Sequence, residues 1–208
     1  MQTFTRSAID ALDRRYRTQL INSLTGFKSV ALIGTVNNGG KENLAIFSQI
    51  IHVGANPPLI GILFRPHTVV RHTLENIQAT QVFTINHIRP DFVRQAHHTA
   101  ARWEDSEFAA CDLKSEYLDE FRAPYVADSH VKIGLEYTEE HKLGNETILL
   151  VGEIQRLYVP KDCVQDDGFI DLEQAQSVTC SGLDSYHTTQ KVVRLSYAKP
   201  NEPLEDIG

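Results

Sequence analysis

Thiols are scarce in this chain. Its three cysteines, Cys111, Cys163 and Cys180, are odd in number and form no CxxC pair. Neither a disulfide framework nor a thiolate zinc site is indicated, and a reducing cytoplasm is the expected compartment. Long apolar runs are missing too. No stretch approaches the roughly 20 apolar residues of a membrane span, and the opening MQTFTRSAIDALDRR lacks the apolar core of a signal peptide, so no membrane association is expected. Positive charge is in deficit: 20 Lys and Arg against 27 Asp and Glu leave a formal charge of −7. A general nucleic-acid or membrane-surface binder would want clustered cations, so neither partner is expected.

Several chemical signatures are also absent. No GxSxG elbow surrounds Ser181, and no cysteine sits in a Cys-His frame, which argues against a hydrolase nucleophile. No GxGxxG follows a strand, which excludes a Rossmann dinucleotide site. His97 and His98 are adjacent, and His67 and His72 lie five apart, so neither pair has the i, i+4 spacing of a zincin helix. Asp166, Asp167 and Asp171 lack EF-hand spacing, and the metal expectation is none. Repeats, low-complexity tracts and Pro/Gly-rich linkers are lacking, which points to one domain over residues 1–208.

What is present reads as an ordinary globular chain, 41% hydrophobic and 23% charged. Ser7 is placed to cap one amphipathic helix over residues 7–25, with Ile9, Leu12, Tyr16, Leu20 and Leu24 on its stripe and Gly26 as a stop. Strands are then expected from Lys28 to Val36 and from Glu42 to Val53, joined by the turn Asn37-Asn38-Gly39-Gly40. Asn56-Pro57-Pro58 forces a turn into a third strand, Leu59 to Phe64. Thr68 is expected to cap a short helix with Val70, Leu74 and Ile77 on one stripe, ahead of a fourth strand, Val82 to Asn86. Residues 89–121 read as mixed helix and loop, and Val131–Tyr137 and Thr147–Val159 as a last hairpin. Six antiparallel strands suggest a closed barrel over about residues 26–160, followed by a C-terminal loop, residues 161–208, whose last nine residues fray.

One stretch resists a bland reading. In KENLAIFSQI, the polar residues Asn43, Ser48 and Gln49 interrupt what is otherwise an apolar core strand. A buried polar atom without a partner costs about 1–3 kcal/mol, so something must satisfy them.

The order of motifs supplies a candidate. A strand NLAIFS, a PP turn, a strand ending FRP, the stretch VVRHTLENI and a late GLDSY element together resemble the flavin reductase-like proteins of the FMN-binding split-barrel fold, from about Gly26 to His187. The resemblance implies a mainly β fold with added helices: a six-stranded antiparallel split β-barrel, a homodimer, and one FMN per subunit at the dimer interface. By that match Asn43, Leu44, Ala45, Phe47, Ser48 and Gln49 line the flavin ring. Period-two alternation puts Asn43, Ala45, Phe47 and Gln49 on one face and Ser48 on the other, so a bulge or contact by backbone alone is required. The alternative is that these polar groups bond neighbouring strands or the second subunit.

The resemblance also assigns the phosphate to Arg65, Thr68, Arg71 and Thr73 at a helix start, with His72 a neighbour rather than a ligand. The plainer reading makes Thr68 only a cap and Arg71 a solvated helix residue. Tyr186 is expected near the ring and His187 over the site where donor or acceptor enters, unless this loop only packs on the barrel or on a partner. The implied reaction is hydride transfer from NADH or NADPH to flavin, which passes electrons to free flavin, an oxygenase partner or another acceptor. The rivals are a non-enzymatic FMN electron carrier, a pyridoxamine phosphate oxidase-like enzyme, and a barrel that has lost flavin.

Overall fold

A computed structural model describes residues 1–66 and 71–208. Its first elements correct the single helix expected over residues 7–25. Helix α1 (Arg6–Ala11) and helix α2 (Arg14–Ser23) are separated at Leu12-Asp13. The cause is capping: Thr5, not Ser7, accepts from the Ala8 N–H at 3.2 Å, and Asp13 accepts from the Arg15 and Tyr16 N–H groups at 2.9 and 3.2 Å. A short acceptor side chain of this kind starts a helix more readily than it continues one.

The strands follow in chain order as β1 (Lys28–Ser29), β2 (Ala31–Val36), β3 (Glu42–Phe47), β4 (Ile50–Ala55), β5 (Pro58–Phe64), β6 (Val82–His87), β7 (Ser115–Glu116), β8 (Tyr125–Val126), β9 (Lys132–Lys142), β10 (Ile148–Tyr158), β11 (Thr179–Ser181) and β12 (Ser185–His187). Helices α3 (His72–Thr80), α4 (Val93–His98) and α5 (Glu107–Ala110) lie between them. The main sheet is antiparallel and seven-stranded, in the order β3-β2-β6-β9-β10-β5-β4, where six strands were expected. The extra strand arises because the run from Glu42 to Val53 is not one strand. It breaks at Ser48-Gln49, with β3 pairing to β2 and β4 to β5 at the far edge.

That break determines the shape. Seven strands laid flat would put β3 and β4 about 29 Å apart at roughly 4.8 Å per strand, yet the chain from Phe47 to Ile50 reaches only about 11 Å. The sheet must curl until its edges nearly meet. β3 and β4 still do not pair, so the barrel has an open seam instead of the closed wall expected from six strands.

The turn at Asn37 forms as expected: Asn37 Oδ1 accepts from the Gly39 and Lys41 N–H groups, both at 2.9 Å, and Gly40 takes φ +83°. All of β2 is buried, because it has apolar neighbours on both faces. Ala31 and Ile33 join a cluster inside the barrel with Ile62, Phe64, Phe83, Ile85 and Leu135, closed by Leu74 and Ile77 of α3. Leu32 and Leu44 join a second cluster on the other face, with Phe92, Ala96 and Phe108 from the α4–α5 region.

Three further expectations change. The α3 stripe carries Leu74 and Ile77 as read, but its N-cap is Arg71, with no side-chain cap bond; Thr68 lies outside the described residues. The stretch around GLDSY is not a loop but the hairpin β11–β12, and β11 also pairs with β1. The tail from Pro200 is not frayed: Ser196 donates its N–H to Glu205 O and Ile207 to Arg194 O, each at 2.9 Å. Among the described residues no helix is long and apolar enough to cross a membrane.

Candidate functional site

Among the described residues the open seam leaves one side of β3 without a strand partner, and a cleft of about 1130 Å³ lies along it. Backbone groups of an edge strand alternate between facing the partner and facing outward. The Leu44 N–H faces outward, because it donates to Glu107 Oε2 at 3.0 Å rather than to β2. Ile46, two residues on, has the same parity and turns its N–H and C=O into the cleft it lines. A ligand edge with alternating donors and acceptors can add to β3 there as a further strand would.

The cleft brings together most of the residues expected at it. Asn43, Ala45, Phe47, Ser48 and Gln49 line it from β3 and the break after it; Arg65, Arg71 and Thr73 line it from the end of β5 and the start of α3; Tyr186 lines it from β12. Leu44 does not, since its side chain is fully buried in the second cluster and only its backbone faces the seam. His187 does not line it either. Its Nε2 is 2.9 Å from Ser181 Oγ, and its ring meets Phe27 edge-on at 4.9 Å.

The polar interruptions in the strand now have separate explanations. Asn43 is buried, and its amide donates to Thr35 Oγ1 at 3.2 Å and to Thr73 Oγ1 at 3.0 Å. This side chain ties β3 to β2 and to α3, as the alternative reading had it. Ser48 reaches the Cys180 thiol, whose pKa burial pushes up. Gln49 serves the connection through its backbone, its carbonyl accepting from the Leu63 N–H at 3.0 Å.

Positive charge gathers where β5 leads into α3. Arg71 is half-buried, and its Nε and Nη2 both donate to Pro66 O, at 3.1 and 3.0 Å. Those bonds hold the guanidinium plane in place. Arg65 is exposed, and His72 stands beside them on the cleft wall.

The opposite wall was not legible beforehand. His97, Thr99, Arg102 and Trp103 reach the cleft from α4 and the loop after it, and Glu107 from α5. His97 Nδ1 lies 2.7 Å from Tyr186 Oη, bridging α4 to the C-terminal hairpin. Burial, followed by the neighbouring Cys180 and Asp184, pushes the Tyr186 phenol up to about 12, so it stays neutral and can donate to His97. The adjacent pair His97-His98 is the signal that the sequence offers for this wall.

An antiparallel barrel opened at one seam, with a cationic pole and a free strand edge along a deep cleft, is a ligand-binding architecture suited to a flat, phosphorylated, hydrogen-bonding molecule. Residues 27–174 match the model of the flavin reductase like domain, and the chain belongs to that family, whose chemistry is flavin-related oxidoreduction. A split-barrel protein from Shewanella frigidimarina NCIMB 400, assigned as a flavin reductase, is 47% identical and superposes with a TM-score of 0.92 over 95% of this chain and 100% of its own. The fold extends further. Nitrilotriacetate monooxygenase component B of Bacillus cereus matches at 20% identity and a TM-score of 0.81, covering 94% of this chain and 98% of that one. The 2-nitrobenzoate 2-nitroreductase of Pseudomonas fluorescens gives the same identity and score over 97% and 98%.

Proposed function

We propose that this chain is an FMN-dependent oxidoreductase, an NAD(P)H:flavin reductase that works as a cytoplasmic homodimer. The observation that carries the reading is the cleft itself: the outward backbone of Ile46 lies along the same cavity as the guanidinium groups of Arg65 and Arg71. Bound flavin would supply the redox chemistry, taking two electrons from a nicotinamide and giving them to an acceptor.

The chain's own residues have simpler tasks. Arg71, with Arg65, attracts the phosphate, and the pinned guanidinium pays little ordering entropy on doing so. The Ile46 N–H and C=O would meet the polar edge of a bound ring, and Ala45 and Phe47 would offer apolar surface beside it. Glu107 occupies the Leu44 N–H, so the adjoining part of the edge is closed to a ligand. No triad is required, and none of these residues has to move a proton.

Exposed apolar side chains support the dimer: Leu24 and Phe27 are 68% and 69% exposed, and Ile51 and Val53 lie on the edge strand β4. The three free, buried cysteines suit a reducing compartment. The likeness to a monooxygenase component B supports an oxygenase as the acceptor of reduced flavin.

The test is the visible spectrum of the purified protein with and without added FMN, followed by steady-state oxidation of NADH and NADPH. Flavin binding with turnover is expected. Flavin binding without nicotinamide oxidation would make the chain an electron carrier, and no binding at all would end the proposal. Sedimentation at micromolar concentration should give a dimer.

A further inference from the structure

The cleft is roomy for a small-molecule site. Sites for single small molecules run from about 300 to 1,000 Å³, and this one is about 1130 Å³. It also has two walls of different origin. The Arg65–Arg71 wall belongs with α3, whose Leu74 and Ile77 pack inside the barrel against Phe47 and Phe64. The far wall belongs with α4 and α5, whose Ala96 and Phe108 pack in the second cluster with Leu44 and Ile46. Successive β3 side chains point to opposite faces of the strand, so the two walls flank β3 on opposite sides.

The far wall carries a cation and an aromatic ring next to each other in sequence, Arg102 and Trp103. Arg102 is exposed and makes no ion pair or hydrogen bond among the described residues, so its five donors remain for a ligand. Trp103 is held: its Nε1 donates to His98 O at 3.1 Å, and its ring meets His98 edge-on at 4.8 Å. Thr99 is buried and donates its hydroxyl to Ala96 O at 2.8 Å, which fixes the start of the same loop. The His97–Tyr186 contact braces the wall from the C-terminal hairpin.

We propose that this wall is a second subsite, in which Trp103 stacks with an aromatic base and Arg102 holds the attached phosphate: the adenylate end of the nicotinamide dinucleotide. This rests on the flavin reading above, which places the flavin phosphate at Arg65 and Arg71. Arg102 and Trp103 are then specificity-determining residues for the electron donor, and the two phosphate-bearing ligands occupy opposite walls with their reactive rings meeting over β3. Glu107 lies on the same far wall, and its carboxylate is held by the Leu44 N–H. That negative charge disfavours phosphate at its own position.

Trp103 is the single tryptophan of the chain, so its fluorescence reports on this wall directly. The experiment titrates ADP-ribose into wild type, Arg102→Ala and Arg102→Gln, and separately titrates FMN, with circular dichroism checking the fold. ADP-ribose should quench Trp103 in wild type. Both variants should bind it roughly tenfold more weakly or worse, while FMN affinity changes less than about twofold. In turnover, KM for NAD(P)H should rise with little change in kcat. ADP-ribose binding that is indifferent to Arg102, or a loss of FMN affinity in its place, would overturn the assignment. If wild type binds FMN but no ADP-ribose, the subsite fails and the flavin reading stands; if ADP-ribose binds through Arg102 but FMN does not bind, the reverse holds.

Discussion

Removal of the two arginines of the proposed phosphate wall, one at a time, should give unequal results that can be worked out from their surroundings. Arg71 is half-buried, with two of its donors already on Pro66 O at 3.1 and 3.0 Å. The group is oriented before a ligand arrives and is partly shielded from water. A hydrogen bond to a charged group is worth about 1.5–3 kcal/mol, so Arg71→Ala should weaken FMN by about 10- to 150-fold. Arg65 is exposed, so solvent screens its contact to roughly 0.5–1 kcal/mol, and Arg65→Ala should cost only about two- to fivefold. Riboflavin keeps the ring and the ribityl chain but has no phosphate, and its affinity should not respond to either change. Arg71→Lys should fall between, because it retains the charge and loses the paired bonds to Pro66 O. Equilibrium titration by flavin fluorescence at fixed ionic strength measures all of these. Equal weakening of riboflavin and FMN would mean that Arg71 shapes the cleft and does not bind phosphate. A larger loss at Arg65 than at Arg71 would refute the burial argument.

Three other perturbations test the frame around the cleft. Alanine at Gly34 would place its Cβ 2.2 Å from Pro124 O and 2.5 Å from Thr84 Oγ1, and since backbone cannot move aside cheaply, a loss of about 3 kcal/mol or more is expected in urea unfolding; an unmoved midpoint would contradict this packing. Asn43→Ala removes the bonds to Thr35 and Thr73 and should cost about 1–3 kcal/mol in thermal melts of the flavin-free protein; unchanged stability with weakened flavin binding would instead put the amide on the ligand. Burial pushes His87 down from 6.5 to about 4, so the folded state prefers its neutral form. Stability is full above about pH 6.5 and falls toward pH 4 at up to about 1.4 kcal/mol per pH unit, and His87→Gln should flatten this slope in denaturation midpoints measured between those limits. Parallel slopes for the two proteins would rule it out.

Much of this protein is local and could be read from the chain. The turn at Asn37-Asn38-Gly39-Gly40 follows from the Asn side chain and the glycine φ, and the alternating or wholly apolar runs give the strands their places because burial imposes a two-residue period. The candidate site stretches are also local: NLAIFSQ, FRP and GLDSY all contribute residues to one cleft. Periodicity is silent on partners. It gives Glu42 to Val53 as a strand equally well whether that run pairs once or, as it does, breaks at Ser48-Gln49 and crosses from one sheet edge to the other. The seventh strand and the open seam come from that crossing. The far wall of the cleft depends on separation in sequence. His97 meets Tyr186 across 89 residues and Glu107 reaches the Leu44 N–H across 63, contacts that no local pattern encodes. Burial also sorted residues that sequence alone treated alike: Asn43 spends its amide on Thr35 and Thr73, Leu44 turns into the core, and Ile46, an ordinary apolar residue on paper, presents the free backbone edge because its strand has no neighbour on that side.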